Sequence, residues 1–204
     1  MKEVIIVILS LLVFNNEAGW KIVRNSDAIK VYKKPTAEGY DEIKIQASIS
    51  STLDEFVQAI NDADAYQYWV YGCSASNLIS SKERNLIYYE TITDMPFPIQ
   101  DRYLKVKSTQ SRDGLEWKSH SVGLPSSKKD QVAIENFESR WHVQELPDET
   151  ILVNYTVKTE PGGFIPAWLY NLAVDRGPYY SMKNLKDRLE SKESSDIRYR
   201  KVND

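Results

Sequence analysis

Few residues of this chain have both the type and the spacing for acid–base or covalent chemistry. His120 and His142 each stand alone on a strand-like pattern, with no second ligand close in sequence, so both read as strand residues. Cys73 is the one cysteine; it excludes an internal disulfide and a multi-cysteine metal site, and reads as a small buried hydrophobe. A Gly-rich phosphate loop, HExxH and GxSxG are all absent from the sequence. Glu90 is the acid best placed for a site, because its parity with Tyr88 and Ile92 sets it on one strand face beside bulky groups. Inside a cavity its carboxylate needs tyrosine hydroxyls or an arginine as partners; unpartnered, it would hold a proton. Asp101-Arg102 reads as a structural pair at a loop-to-strand junction. No catalytic residue, metal or cofactor is expected from this set.

The elements that must position these groups are mostly strands. Glu42 to Ser50 alternates, with Ile43, Ile45, Ala47 and Ile49 on one face and polar residues on the other, the pattern of a half-buried antiparallel strand. Short strands precede it at 20–24 and 28–34. Thr52, with Glu55 three positions on, forms a capping box for a helix whose apolar face is Phe56, Ala59, Ile60 and Ala63. A short helical piece is expected at 65–69. Strands then follow at 78–80, 85–93, 101–111, 115–122, 132–146 and 150–159, with Asp113-Gly114 marking a hairpin. The loops at 96–99 and 123–127 are short enough to frame an opening.

Pro161-Gly-Gly breaks the last strand. An apolar stripe begins at Ile165, Trp168, Leu169 and Leu172 and resumes at Tyr179, Met182, Leu185 and Leu189. Read as one helix of roughly 27 residues, it is about 40 Å long and must cover a large apolar surface. The periodicity therefore predicts an α+β domain: an antiparallel sheet with one face under a long C-terminal helix. Its alternation points Ile45, Ala47, Leu104, Val106, Val153 and Tyr155 toward Trp168, Leu172, Met182 and Leu185.

Composition fits a single domain with an ample aromatic core: 204 residues, 13 of them tyrosine. A net charge of −3 without a dense basic patch argues against a nucleic-acid surface. The apolar run from Val4 to Phe14 is too short to span a membrane, and Asn15-Asn-Glu-Ala18 follows it. We read 1–18 as a signal peptide, 19–191 as the folded domain and 192–204 as a polar tail. The expected location is periplasmic or secreted.

The ordered motifs resemble the START (StAR-related lipid-transfer) family, in the manner of a bacterial exported single-domain member. They are Trp20 with Ile29-Lys-Val-Tyr-Lys33, Lys44, Tyr68-Trp69, and Tyr88-Tyr-Glu90. Pro96-Phe-Pro98, Asp101-Arg102, Pro161-Gly-Gly and Ile165-Pro-Ala-Trp-Leu169 follow in the family's order. The resemblance implies a helix-grip fold, a curved antiparallel sheet around a long C-terminal helix with an internal cavity. It also implies non-enzymatic binding of one apolar lipid, such as a sterol or phospholipid. Tyr88 and Glu90 join the ten residues above as expected ligand contacts, Glu90 near the family's acidic position. Where sterol-binding members place an arginine, this chain has Ser108, which departs from their polar pair. The implied partners are a hydrophobic small molecule and, transiently, a membrane surface; the chain is expected to be a monomer. Two alternatives are a cyclase- or hydrolase-like enzyme using the same cavity through Glu90 and the tyrosines, and an exported interaction module without an internal ligand.

Overall fold

The strand Glu42–Ser50 (β3) is third from one edge of the sheet in the computed structural model, which describes residues 19–191 apart from 84 and 135. The expected signal peptide and polar tail lie outside the described residues. Ile43, Ile45, Ala47 and Ile49 are all buried, as the alternation requires. Before β3 come β1 (Lys21–Ser26) and β2 (Ile29–Lys34), joined through Asp27 and Ala28, both at positive φ. After it, helix α1 (Leu53–Asn61) starts at Thr52, whose side chain and that of Glu55 form the expected reciprocal cap. Such a cap contributes about 1 kcal/mol. Phe56 on α1 meets the Trp117 and Trp141 rings edge-on, at centroid distances of 5.8 and 5.6 Å, and so plugs one end of the sheet's concave side. A 3-10 turn (Ala63–Ala65) leads into α2 (Tyr66–Trp69).

The remaining strands are β4 (Cys73–Glu83), β5 (Leu86–Thr93), β6 (Arg102–Asp113), β7 (Glu116–Leu124), β8 (Val132–Ala133), β9 (Asn136–Leu146) and β10 (Thr150–Glu160). They complete a ten-stranded sheet in the order β1-β2-β3-β10-β9-β7-β6-β5-β4, with β8 paired to β6. All neighbours on that path are antiparallel, and β8 alone runs parallel to its partner. Gly114 takes φ +56° as the first of two residues joining paired Asp113 and Glu116, a position that favours glycine.

Three elements differ from the sequence-based expectation: the strand expected at 78–80 runs from Cys73 to Glu83 as β4. The strand expected over 132–146 is divided. Val132 and Ile134 donate their N–H groups to Asp101 and Tyr103, which ties β8 to the start of β6 before the chain turns into β9. The single 40 Å helix is likewise two pieces, α3 (Ala167–Asn171) and α4 (Arg176–Glu190). Pro178 explains the break: it has no N–H for the carbonyl of Val174, but fits the first turn of a new helix, where that group has no partner to lose. On α4, Tyr179, Met182 and Leu185 are buried against the sheet. The result is a curved antiparallel sheet gripping a C-terminal helix.

Candidate functional site

The inward side chains of β6, β7 and β9 shrink toward the middle of the sheet. Ser108, Ser119, Ser121 and Ser139 take the inward positions there, each 3–5% exposed. Register places Ser108 opposite Ser121, and Ser121 opposite Ser139. Because these residues fill so little space, a cavity of about 770 Å³ remains between the sheet and α2, α3 and α4. That volume lies within the roughly 300–1,000 Å³ typical of small-molecule sites. Its apolar wall includes Ile43, Ile87, Leu104, Phe137, Val157 and Met182.

One end is closed by Ile60 and Tyr66. There the Gln110 amide donates to Asn61 at 2.7 Å, joining β6 to the end of α1. Met95, Pro96, Ile99, Leu169, Ala173 and Arg176 line the other end. The two loops of this mouth are held by Arg102, which is buried; its guanidinium donates to the carbonyls of Gln100, Pro161 and Gly162. Gly162 takes φ +68°, and a Cβ there would lie 2.4 Å from the Ala133 carbonyl oxygen, so only glycine fits this crossing. Asp101 acts elsewhere, its carboxylate accepting the Met95 N–H at 3.0 Å. Arg102 and Asp101 are thus both structural, each with its own partners.

The wall is tyrosine-rich, and burial pushes the hydroxyls of Tyr66, Tyr89, Tyr155 and Tyr170 above the ordinary phenol range. Tyr66 donates to the Ile60 carbonyl, while Tyr89 and Tyr155 line the cavity together with the serines. Cys73 is buried on the wall, and desolvation raises its thiol to about 11, so it is a poor nucleophile at neutral pH. Asp94 and Arg176 are the charged residues among those lining the cavity, and both are exposed.

Leu104, Tyr155 and Met182 line the cavity among the expected contacts. Ile45, Ala47, Val106, Val153 and Leu185 are buried but stand away from the cavity wall. Most of this group packs in the solid core where α4 sits directly on β3. Trp168 and Leu172 were expected to face the sheet; they are 67% and 69% exposed. The break before α4 accounts for this, since α3 does not continue the buried stripe.

Tyr88 and Glu90 need a second correction. Ile87, Tyr89, Thr91 and Thr93 are the residues of β5 on the cavity wall, so Tyr88 and Glu90 occupy the outer face. Glu90 does accept a tyrosine hydrogen bond, from Tyr103 at 2.6 Å, but outside the cavity, with Lys128 4.0 Å away. Burial, with that carboxylate, raises the Tyr103 hydroxyl to about 12. His120 and His142 are exposed and pair with Glu138 and Glu116. Of the two loops expected at the opening, 96–99 contributes Pro96 and Ile99, whereas none of 123–127 lines the cavity.

The serines were missed because small polar residues ordinarily read as solvent-facing. One signal was present: in β7, Ser119 and Ser121 share the parity of Trp117, which is buried.

No family model matches the chain. It is 27% identical over 185 residues to an uncharacterized protein of Pseudomonas aeruginosa, which covers 85% of this chain and 88% of that one. Among solved structures it resembles a STAR-related lipid transfer protein from Xanthomonas axonopodis, with a TM-score of 0.78 and 24% identity over 84% of this chain and 98% of that one. Human StAR-related lipid transfer protein 5 gives a TM-score of 0.74 at 17% identity, covering 87% and 89%. A Streptomyces aromatase/cyclase is more distant, with a TM-score of 0.55 at 9% identity, covering 76% and 97%. The chain has the helix-grip fold of START lipid-transfer domains.

Proposed function

We propose that the protein binds one apolar lipid in the cavity, without chemistry, and exchanges it with a membrane through the mouth. The observation that carries this reading is the cavity itself, with an apolar and tyrosine-rich wall and its two charged residues exposed. Burying about 500 Å² of ligand provides about 12 kcal/mol gross. Lost motional freedom removes several kcal/mol or more of that, and the remainder is still a useful affinity. The mouth adds support for exchange: Phe97 and Phe164 are almost fully exposed, Trp168 and Leu169 follow on α3 with Leu172 just beyond it, and Leu169 also lines the cavity. Isolated exposed apolar groups are ordinary, but a set carried by two loops clamped together at one opening fits an interfacial contact.

Of the groups named for the enzymatic alternative, the tyrosines line the cavity, their hydroxyls raised by burial, and the remaining acid–base candidates do not converge there. Glu90 is on the outer face, both histidines are exposed and paired, and the carboxylate on the wall is Asp94, in an exposed position. Native mass spectrometry of the purified protein, followed by lipid extraction, tests the binding reading. A co-purifying apolar molecule at one per chain is expected. Failure to retain or take up any apolar molecule overturns it.

Export is part of the same proposal, carried by the apolar run at 4–14 and the Asn-Glu-Ala that follows. N-terminal sequencing from the native host should find Gly19 or a near neighbour first; an intact Met1 in the cytosol refutes export.

A further inference from the structure

Ser121 donates to the Ser108 hydroxyl at 3.0 Å, and Ser108 lies 3.2 Å from Ser119. Tyr89 and Tyr155 line the same cavity as these serines and Ser139. The cluster is deep. Arg102 pairs with Thr93 at the mouth end of β5, and Ser108 is six residues further along β6, about 20 Å at strand spacing. Beyond it, Gln110 is already bonded to α1. The Trp69 indole N–H is a second observation at this wall: it is buried and has no hydrogen-bond partner among the described residues. The Trp69 ring packs on Tyr66 and Tyr66 on Tyr89, each at 5.2 Å between centroids, so the unpaired donor and the serine chain belong to one contiguous wall.

These groups are hydrogen-bonding but uncharged. A serine hydroxyl both donates and accepts, and an indole N–H only donates. A ligand oxygen beside the serines would extend their chain, and one that reaches the indole would satisfy it. An ionic head group at the same depth would lose its water and meet no counter-charge, since Asp94 and Arg176 are exposed.

We propose that the serine cluster selects ligands that enter with an uncharged hydroxyl or carbonyl end innermost, and rejects those that must bury an ionic head group. This inference rests on the cavity being the ligand site, and it narrows the ligand class of that site.

Three probes of equal chain length separate the possibilities: dodecanol, dodecanoate and dodecane, each measured at pH 8 by competition with a neutral fluorescent dye in the intact protein. Dodecanol should bind about tenfold more tightly than either of the others. In Ser108→Ala/Ser121→Ala that preference over dodecane should fall to about twofold or less, while dodecane binding stays within about twofold and reports an intact cavity. A Ser108→Thr variant keeps the hydroxyl and should retain the preference. Equal binding of all three probes by the wild type overturns the selection but leaves the cavity reading standing. Tightest binding of dodecanoate also overturns the selection and points to an anion site. Failure of every probe to bind overturns both readings.

Discussion

Arg102 donates from Nε to the carbonyl oxygen of Pro161 at 2.6 Å, linking residues 59 apart in sequence across the cavity mouth. The side chain also reaches the carbonyls of Gln100 and Gly162, and the residue is only 4% exposed. Hydrogen bonds from a charged donor contribute about 1.5–3 kcal/mol each, and unpaired buried carbonyls add a cost. Arg102→Met should therefore lower stability by about 3 kcal/mol in urea unfolding. Hydrogen exchange should quicken at Ile99, whose N–H bonds to Pro96 within the clamped loop. Unchanged protection there would show that the loops hold their places without the clamp.

The alternation of β3 and the capping box of α1 were legible because each is a local rule with one solution: Ile43 to Ile49 bury every second residue, and Thr52 and Glu55 need only each other. β5 was ambiguous for an equally local reason. Leu86, Tyr88 and Ile92 make one face as bulky as Ile87 and Tyr89 make the other, so parity alone could not choose. The partner strand chooses, by setting Tyr89 opposite the fully buried Val106. The cavity was least legible. A void is created by what is small, and Ser108, Ser121 and Ser139 become a row only once β6, β7 and β9 are in register.

Cys73 gives a pH-dependent prediction. Its thiol stands at about 11 in the fold against 9.0 for an unperturbed thiol, because burial disfavours the thiolate. At pH 8 the thiolate is then about a hundredfold scarcer than in the unfolded chain, so alkylation by iodoacetamide should be about a hundredfold slower before unfolding than after. The folded pKa is the higher one. The associated stability is thus complete below about pH 9 and is lost as pH rises through about 11. A two-unit difference corresponds to at most about 3 kcal/mol. Cys73→Ala should flatten that part of the alkaline stability profile. A native alkylation rate equal to the unfolded one would mean that the wall at Cys73 is open to water.

The exposed residues at the mouth allow a test in which stability and function separate. Phe164 and Trp168 have little burial to lose, so Phe164→Ser/Trp168→Ser should change stability by about 0.5 kcal/mol or less. Leu115 is a suitable control, since it is 56% exposed but sits in the turn after Gly114, whose carbonyl accepts from Arg112 near α1. If the mouth rests on a membrane during exchange, flotation with phosphatidylcholine vesicles should recover wild type and Leu115→Ser alike. The double mouth variant should partition about tenfold less, since two aromatic side chains no longer enter the interface. Loss of flotation only in Leu115→Ser would place the contact at the opposite end of the sheet. Equal flotation of all three proteins would separate Phe164 and Trp168 from membrane contact and leave their exposure without a role in exchange.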